Sequence, residues 1–486
     1  MDFVIPINSQ ADIPLHRQVY QEIRLQILSG RLTPGQKLPS TRALAQSLGI
    51  SRATVSQSYE QLVSEGYLET TLGSGTFVCD QLPDDLLNTA PIESTSSGTN
   101  SSITLSAYGK NLNNKAFLRL PELELQINFT YGRPAFDKFP IDLWRKLLSR
   151  HCRCHPSVLD YANDSMGYQP LRQAIASYLS RSRAVKCTPE QIIIIGGSQQ
   201  GLDLIARLLI DIGDLIAVEE PGYLGAQRAF LSQGACLFPI SVDKSGLEVT
   251  NLTTTSNIKL IYVTPSHQFP TGAVLSLERR LKLLNWAQQS GAIIIEDDYD
   301  SEYRYSGQPI PALQGLDQGN SVIYIGTFSK VLFPALRLGY LVLPDNLVHI
   351  FTRAKWLTDR QCSLLEQHAL TDFISEGHLE RHIRQMRSLY EQRRQILVQS
   401  LISQFGDRVQ ILGDNAGMHL MVKIDTDMSD EVIVQDAAQI GLGISAAYPY
   451  YLDNSPGSEF VLGYAELNEQ QIEEGVRRLS QVILGA

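Results

Sequence analysis

Apolar residues recur at helical spacing near the start of the chain. Four of them lie four positions apart and predict one buried helical face, namely Leu15, Val19, Ile23 and Ile27. Ser40 and Ser51 each precede a further periodic run, and serine in this position is typical of a helix N-cap. Two alternating stretches flank residues 73–75 (GSG) and predict a hairpin. The first eighty residues are therefore expected to form three short helices and two strands.

The pattern changes beyond residue 80. Residues 94–102 (STSSGTNSS) are polar and low in complexity, and they bury too little apolar surface to offset the entropy of ordering. We expect a flexible linker there. Farther on, short apolar runs alternate with helical segments, which predicts a mostly parallel sheet covered by helices. The runs that predict strands are 192–195, 215–218, 260–263, 293–295 and 322–325.

Composition and net charge restrict the class of protein that this sequence can form. The chain has 486 residues, 43% hydrophobic and 19% charged, a balance typical of soluble globular proteins with several domains. No apolar run is long enough to span a membrane, no signal peptide pattern is evident, and six scattered cysteines predict reduced thiols in the cytoplasm. The net charge of -10 does not exclude a DNA-reading module, because fields act locally over about 8–10 Å.

The first eighty residues have the element order of a winged helix-turn-helix. In that motif the second helix of the turn enters the major groove by its N-terminal end. Arginine and hydroxyl side chains at this end can contact bases and phosphates, and a slim glycine tip lets the wing approach DNA. The candidate DNA contacts are Arg42, Ser51, Arg52, Thr54 and Gly75. The alternative is a small helical domain for protein contacts, with solvated arginines.

Specific motifs carry this prediction further. Residues 38–42 (LPSTR), 51–55 (SRATV), 65–68 (EGYL) and 75–78 (GTFV) make residues 12–78 resemble the GntR family of bacterial regulators. The resemblance implies double-stranded operator DNA as a partner. It also implies that Arg42, Arg52 and Thr54 contact that DNA.

Three polar junctions follow predicted strands in the second part of the chain. They are residues 196–201 (GGSQQG), 296–300 (EDDYD) and 326–330 (GTFSK). Ligands bind beyond the carboxyl ends of strands in open α/β sheets, so these junctions are expected to meet at one site. Glycine and small polar residues at a strand-to-helix junction can also hold a phosphate.

The residue types at these junctions match the needs of pyridoxal phosphate. This cofactor requires a lysine for an imine, a carboxylate for its pyridine nitrogen and a donor for its phenolic oxygen. Lys330, Asp297 and Tyr299 can fill these roles. The residues expected around the phosphate group are Gly197, Ser198, Gln199, Thr327, Ser329 and Arg337. The alternatives are a solvated lysine and an acidic run that is empty or holds Mg²⁺.

Longer motifs extend the match to most of the chain. Residues 131–134 (YGRP), 168–172 (YQPLR), 220–223 (EPGY) and 264–272 (TPSHQFPTG) resemble fold-type I aminotransferases. The combination with a GntR-type head resembles the MocR or GabR-like regulators. This resemblance implies that Tyr223 stacks on the cofactor ring, that His267 lies near it, and that the chain forms a head-to-tail homodimer.

The expected fold is therefore a small α+β winged helix-turn-helix joined by a linker to an α/β aminotransferase-like body with a smaller C-terminal lobe. The predicted boundaries are 1–80 for the DNA-binding domain, 81–118 for the linker and 119–486 for the body. Within the body we expect a large lobe at about 150–345 and a small lobe at about 346–486.

Residues 151–155 (HCRCH) invite a metal-binding interpretation. The preceding apolar residues predict a helix, in which residues two apart point in different directions. Two thiolates so placed would chelate poorly, so we expect no metal site there.

One departure from the family pattern affects function. Aminotransferases that this fold resembles hold the substrate carboxylate with an arginine of the small lobe, but residues 409–476 contain no arginine. Gly225 also stands where GABA-sensing relatives carry another arginine. These differences weigh against transamination of common amino acids and against GABA sensing, and they leave other side chains, such as that of His419, to hold a ligand.

Three functions remain open at this point. The favoured one is a transcription regulator that senses pyridoxal phosphate or a small amine through an imine on Lys330. The second is an active aminotransferase with an accessory DNA-binding head. The third is a structural DNA-bridging protein with an inactive pocket, against which the intact Lys330, Asp297, Tyr299 and Arg337 argue.

Overall fold

The computed structural model describes residues 5–8, 11–71, 73–84, 103–113, 125–154, 160–161, 164–254, 257–306, 310–413, 415–453 and 455–485. The chain divides into two compact units, Met1–Ile103 and Thr104–Ala486, here called the head and the body. No helix in the described ranges is long and apolar enough to cross a membrane.

The head contains three helices and a hairpin, in the predicted order. Its elements are α1 (Leu15–Leu28), α2 (Thr41–Leu48), α3 (Arg52–Ser64), β1 (Leu68–Thr71) and β2 (Gly75–Val78). The side chains of Ser40 and Ser51 accept hydrogen bonds from the backbone N–H groups of Ala43 and Thr54, which caps α2 and α3. The predicted apolar face of α1 packs into the core of the head through Val19 and Ile23, both fully buried.

An eight-stranded sheet forms the large lobe of the body. Its strands are β4 (Ile192–Ile195), β5 (Leu215–Glu220), β6 (Cys236–Asp243), β7 (Gly246–Leu247), β8 (Ile258–Val263), β9 (Ile293–Asp298), β10 (Val322–Thr327) and β11 (Gly339–Val342). Their spatial order is β4-β11-β10-β9-β8-β5-β6-β7. Neighbours from β10 to β6 are parallel, whereas β11 runs antiparallel to both β4 and β10.

Helices cover this sheet and bury its apolar strands. The helices of this lobe and its approaches are α4 (Ala107–Asn111), α5 (Ile141–Cys154), α6 (Gln169–Arg183), α7 (Ser198–Leu209), α8 (Leu224–Ser232), α9 (Leu277–Ser290) and α10 (Leu313–Leu316). The four isoleucines of β4 are at most 1% exposed, as expected for a strand covered on both faces. The strands β6, β7 and β11 were not among the predicted runs.

The small lobe combines long helices with an antiparallel sheet. Its helices are α11 (Asp345–Asp359), α12 (Leu364–Ser375), α13 (His378–Phe405), α14 (Asp430–Gln439) and α15 (Glu469–Leu484). Its strands include β12 (Val409–Leu412), β13 (His419–Ile424), β15 (Ser445–Ala446) and β16 (Glu459–Gly463), in the order β12-β13-β16-β15. A short pair, β3 (Ile127–Asn128) and β14 (Leu442–Gly443), joins the beginning of the body to this lobe.

The predicted linker lies largely outside the described residues. Where it is described, residues 107–111 form α4, and the side-chain amide of Asn111 donates to the backbone oxygen of Ser232 at 3.1 Å. The expectation of a flexible linker over all of 81–118 is therefore wrong for this helix. Its N-cap, Ser106, accepts a hydrogen bond from the N–H of Gly109, and this local cap is a signal that the compositional argument missed.

Candidate functional site

The sheet brings the three polar junctions to one edge. In the parallel pair of β9 and β10, Asp297 lies opposite Ile325, so Asp297 and Lys330 both lie at or beyond the carboxyl end of a strand. Because β11 runs in the opposite direction between β10 and β4, the residues that precede it, including Arg337, lie at the same edge. The antiparallel strand thus delivers an arginine to a site made by parallel strands.

A cavity of about 180 Å³ occupies this edge. The predicted residues that line it are Ser198, Gln199, Tyr223, Asp297, Tyr299, Thr327, Ser329, Lys330 and Arg337. Gly197 and His267 do not line it, although both contact residues that do. Sequence reasoning missed further lining residues, namely Tyr131, Tyr262, Thr264, Phe269 and Pro334. Tyr131 and Phe269 lie within motifs that the sequence singled out, and that was the available signal.

Lys330 reaches into the cavity beside a close stretch of backbone. Its Nζ donates to the backbone oxygen of Gly132 at 3.0 Å. A Cβ at Gly132 would lie 2.3 Å from that nitrogen, and the φ of +80° also favours glycine. Burial lowers the pKa of Lys330 and outweighs the opposing effect of Asp300 and Asp297, so the amine is more readily deprotonated than an exposed lysine. A deprotonated amine is the nucleophilic form.

Asp297 has one carboxylate oxygen without a partner. Its Oδ2 accepts from the hydroxyl of Tyr262 at 2.8 Å, whereas Oδ1 is buried with no hydrogen bond. Burial raises the pKa of Asp297 to about 7. A buried acceptor without a donor is costly, and the protonated pyridine nitrogen of pyridoxal phosphate is a donor that would satisfy it. The residues present therefore fit this cofactor.

The neighbouring carboxylate is neutralised by a buried arginine. Nε of Arg183 lies 2.7 Å from Oδ2 of Asp298, and the hydroxyl of Tyr324 donates to the same oxygen at 2.5 Å. Burial opposes ionisation of Asp298, but Arg183 and the hydrogen bonds hold its pKa below the ordinary value. The charge of Asp298 is thus matched, which leaves Asp297 to face the cavity.

The junction after β4 has the geometry of a phosphate cup. Gly197 has a φ of +94°, and a Cβ there would lie 3.2 Å from Nη2 of Arg337. Helix α7 begins at Ser198, and Ser198 and Gln199 line the cavity, so the N-terminus of this helix lies at the cavity edge. Nη2 of Arg337 donates to the backbone oxygen of Gly196 at 2.5 Å. The amide of Gln199 donates instead to the backbone oxygen of Gly225 at 3.2 Å.

His267 acts behind Tyr299 rather than on the cavity surface. Nδ1 of His267 lies 3.0 Å from the Tyr299 hydroxyl and 3.1 Å from both oxygens of Asp300. Ligand atoms of His267, Asp300 and His419 all lie within 4.8 Å of one another, a spacing compatible with a metal ion. However, Asp300 is already bonded to His267, and Nε2 of His419 lies 3.1 Å from the backbone oxygen of Pro270. We interpret the group as support for Tyr299.

Aromatic side chains form part of the cavity wall, namely those of Tyr131, Tyr223 and Phe269. Phe269, Tyr450 and Val461 pack in one buried cluster, against which Tyr131 and Tyr223 lie. Arg337 is the only arginine among the described residues that line the cavity. An adjoining cavity of about 510 Å³ includes Arg228, one helical turn after Gly225. Arg228 thus lines the adjoining cavity and not the one that Lys330 lines.

Glycine at position 225 leaves room for the ring of Tyr223. A Cβ at Gly225 would lie 2.5 Å from two carbons of that ring. The side chain of Tyr223 is half-buried and lines both cavities. Glycine at position 225 is therefore coupled to the position of the aromatic ring.

The cluster at residues 151–155 does not assemble as a metal site in the described part. Nε2 of His151 lies 2.9 Å from Oδ2 of Asp372, and its ring is 5.0 Å from that of His368. Cys152 is exposed, and His155 lies outside the described residues.

The predicted DNA contacts lie on exposed ends of the head. Arg42 and Arg52, in the first turns of α2 and α3, are exposed, and Nε of Arg52 lies 3.4 Å from the hydroxyl of Thr41. Ser51 and Thr54 bond each other at 2.8 Å at the start of α3. At Gly75 the aliphatic chain of Lys37 packs so closely that a Cβ would lie 2.7 Å from it. Lys37 is a basic residue at the wing that sequence reasoning missed.

Comparison with known proteins agrees with both units. Residues 15–78 match the family described as bacterial regulatory proteins, gntR family, and residues 125–479 match aminotransferase class I and II. LysN, an alpha-aminoadipate aminotransferase from Thermus thermophilus, superposes with a TM-score of 0.72 at 26% identity, over 78% of this chain and 97% of its own.

Full-length relatives combine the same two parts. The probable rhizopine catabolism regulatory protein MocR of Rhizobium meliloti is 40% identical over 99% of this chain and 96% of its own. The pyridoxine biosynthesis regulator PdxR of Corynebacterium glutamicum is 31% identical over 99% of each chain. The chain therefore belongs to the MocR family of DNA-binding transcription regulators, in which a gntR-type head is joined to an aminotransferase-like body.

Proposed function

We propose that this regulator senses pyridoxal phosphate, or a small amine without a carboxylate, through covalent attachment at Lys330. The observation that carries the proposal is the unpartnered Oδ1 of Asp297, which lies in the cavity reached by the lysine. The relatives support it, since one is named as a regulator of pyridoxine biosynthesis and LysN was solved with a phosphopyridoxyl compound.

Different residues of the cavity have different roles in binding pyridoxal phosphate. Pyridoxal phosphate, when bound, supplies a carbonyl group that an amine can attack. The lowered pKa of Lys330 favours the attacking form of its amine, and the unpartnered Oδ1 of Asp297 would accept a hydrogen bond from the protonated pyridine nitrogen. Arg337 and the N-terminus of α7 hold the phosphate group, and Tyr299 donates its hydroxyl proton to the phenolic oxygen.

The aromatic wall favours effectors without a carboxylate. A carboxylate placed against Tyr131, Tyr223 and Phe269 would lose its hydration without gaining an arginine other than Arg337. Pyridoxal phosphate alone, or an apolar amine, meets no such cost. The proposal therefore disfavours common α-amino acids as effectors.

The readout of binding is a change in DNA affinity. We propose that the chain acts in the cytoplasm as a head-to-tail homodimer, whose two recognition helices α3 read paired half-sites. Attachment at Lys330 would favour one arrangement of heads over another, so that operator affinity depends on the cofactor.

The decisive experiment is selection of genomic DNA fragments on the purified protein with and without pyridoxal phosphate. We expect paired repeats whose enrichment depends on the cofactor, and we expect Lys330→Ala to bind the same repeats with no such dependence. Lys282→Ala removes an exposed lysine and is the matched control. Cofactor-dependent binding that persists in Lys330→Ala would refute the proposal.

A second candidate function is transamination. The intact set of Lys330, Asp297 and Tyr299 in one cavity favours it. Conversion of amino donors to keto acids, lost in Lys330→Ala, would establish it. No DNA enrichment in either condition would move the assignment toward this enzyme function.

A further inference from the structure

A second cleft lies in the body and shares no lining residue with the cofactor cavity. It has a volume of about 450 Å³ and lies between α6, the segment after β9 and the first turns of α13. Five arginines of the described residues line it, namely Arg181, Arg183, Arg304, Arg384 and Arg387. We call it the arginine cleft.

Two of the five guanidinium groups have no partner among the described residues. Arg181 pairs with Glu380 at 3.2 Å, and Arg387 donates to the backbone oxygen of Glu302 at 2.9 and 2.7 Å. In the described part of the chain, no hydrogen bond or ion pair reaches the guanidinium of Arg304 or Arg384, and Nε of Arg304 is buried. Arg304 is half-buried, and a partly desolvated cation without a partner is costly unless a ligand compensates it, whereas Arg384 is exposed and free to reach a ligand.

The acidic side chains of the cleft do not neutralise the positive charge of its arginines. Burial raises the pKa of Glu302 to about 7, and the hydroxyl of Tyr178 donates to this carboxyl at 3.0 Å. Glu302 therefore carries only part of its charge at neutral pH. Arg183, which also borders the cleft, is matched by Asp298. The cleft is thus positive, although the chain as a whole carries -10.

We propose that the arginine cleft binds a small phosphorylated metabolite, with Arg304 and Arg384 on the phosphate oxygens. A phosphate group presents several acceptors to converging guanidinium forks, whereas a carboxylate occupies only one fork. The cleft also has room for an organic group beyond the phosphate. Its segment Ser301 to Arg304 continues directly from Asp297 and Tyr299, so the ligand would restrain residues of the cofactor site.

This site is independent of the proposed sensing at Lys330, and its test does not need that function. Pyrophosphate is the probe, titrated calorimetrically into the full-length protein at constant ionic strength, with and without saturating pyridoxal phosphate. We expect Arg384→Gln to weaken binding about tenfold or more, as for loss of a charge-assisted hydrogen bond. Arg381→Gln lies on the same helix, is exposed and does not line the cleft, so it should bind within about twofold of the unmodified chain.

Further variants separate this site from other phosphate sites. Arg304→Gln should weaken pyrophosphate binding as Arg384→Gln does. If Arg304→Gln fails to fold, the test rests on Arg384→Gln, because Arg384 is exposed. Arg337→Gln should leave the pyrophosphate signal in place, and its loss would assign the signal to the cofactor cavity and overturn the proposal.

The DNA backbone carries the same chemistry and is the other source of phosphate. A random-sequence duplex is therefore titrated in parallel. If Arg384→Gln weakens duplex binding but not pyrophosphate binding, the cleft contacts DNA and the metabolite proposal is wrong. Equal behaviour of Arg381→Gln and Arg384→Gln toward pyrophosphate would also overturn it.

Discussion

The hydroxyl of Tyr299 lies 3.0 Å from Nδ1 of His267, which is also 3.1 Å from both oxygens of Asp300. Because a carboxylate accepts hydrogen bonds only, Nδ1 carries the proton that it donates to Asp300. Tyr299 can then only accept from His267, and burial raises its pKa well above the ordinary value, so it keeps its own proton. That proton remains available to the phenolic oxygen of a cofactor.

His267→Phe keeps an aromatic ring and removes the donor. The Tyr299 proton can then turn toward Asp300, and the phenolic oxygen of pyridoxal phosphate loses its hydrogen bond. We expect the pH midpoint of the visible absorbance of the lysine-bound cofactor to rise by roughly one unit, since about 1.4 kcal/mol corresponds to one pKa unit. Tyr299→Phe should raise it at least as much.

A matched control is His349→Phe, because His349 is exposed on α11. Its midpoint should equal that of the unmodified chain. If His267→Phe leaves the midpoint unchanged while Tyr299→Phe raises it, His267 does not direct the hydroxyl proton. Absence of visible absorbance in the unmodified chain would instead count against attachment at Lys330.

The buried carboxyl of Asp297 destabilises the cofactor-free protein and is required for cofactor binding. A carboxyl with a pKa of about 7 in the folded chain, well above its ordinary value, binds its proton more tightly when folded. Its contribution to stability is therefore present at low pH and is lost as the pH rises from about 4 to about 7. We expect Asp297→Asn to stabilise the cofactor-free protein at pH 8, on the order of 2–4 kcal/mol, and to change little at pH 4. It should also abolish tight cofactor binding.

Denaturant unfolding at the two pH values measures this difference. Asp427→Asn changes an exposed aspartate and should change stability little at either pH value. An Asp297→Asn protein that is less stable than the parent at pH 8 would show that burial of this carboxyl is not destabilising.

Substitution of Arg52 and substitution of Arg42 should weaken DNA binding in different ways. Arg52 lies at the N-terminus of α3, so Arg52→Ala should cost about 1–3 kcal/mol on the operator and relax base preference. Arg42 is expected to hold the backbone, so Arg42→Ala should weaken all sequences alike and lower the salt slope by about one. Fluorescence anisotropy over a salt series separates the two. Arg17→Ala, on the exposed side of α1, is the control, and equal losses on operator and random DNA for Arg52→Ala would exclude base reading.

Local signals in the sequence predicted much of this structure. Helical spacing and the caps Ser40 and Ser51 predicted the elements of the head, and short apolar runs predicted five strands of the large sheet. The sequence did not predict the antiparallel strand β11. Its direction is set by pairing with β10 and β4, which is tertiary structure and leaves no local signal in four residues. Tyr262 escaped for a similar reason, since its hydroxyl meets Asp297 only through the pairing of β8 with β9.

An arginine placed at position 225 should not create a carboxylate site. Any side chain there displaces the ring of Tyr223, because the added Cβ would lie 2.5 Å from it. We expect Gly225→Arg and Gly225→Ala to weaken cofactor binding by a similar factor, roughly tenfold, as expected for loss of an aromatic contact worth about 1 kcal/mol or more. The control is Gly319→Ala, at an exposed position where an added Cβ would meet only ordinary van der Waals contacts. Cofactor titration by absorbance measures the effect, and tighter binding of a carboxylate-bearing amine in Gly225→Arg would show that the glycine, rather than the ring position, sets effector choice.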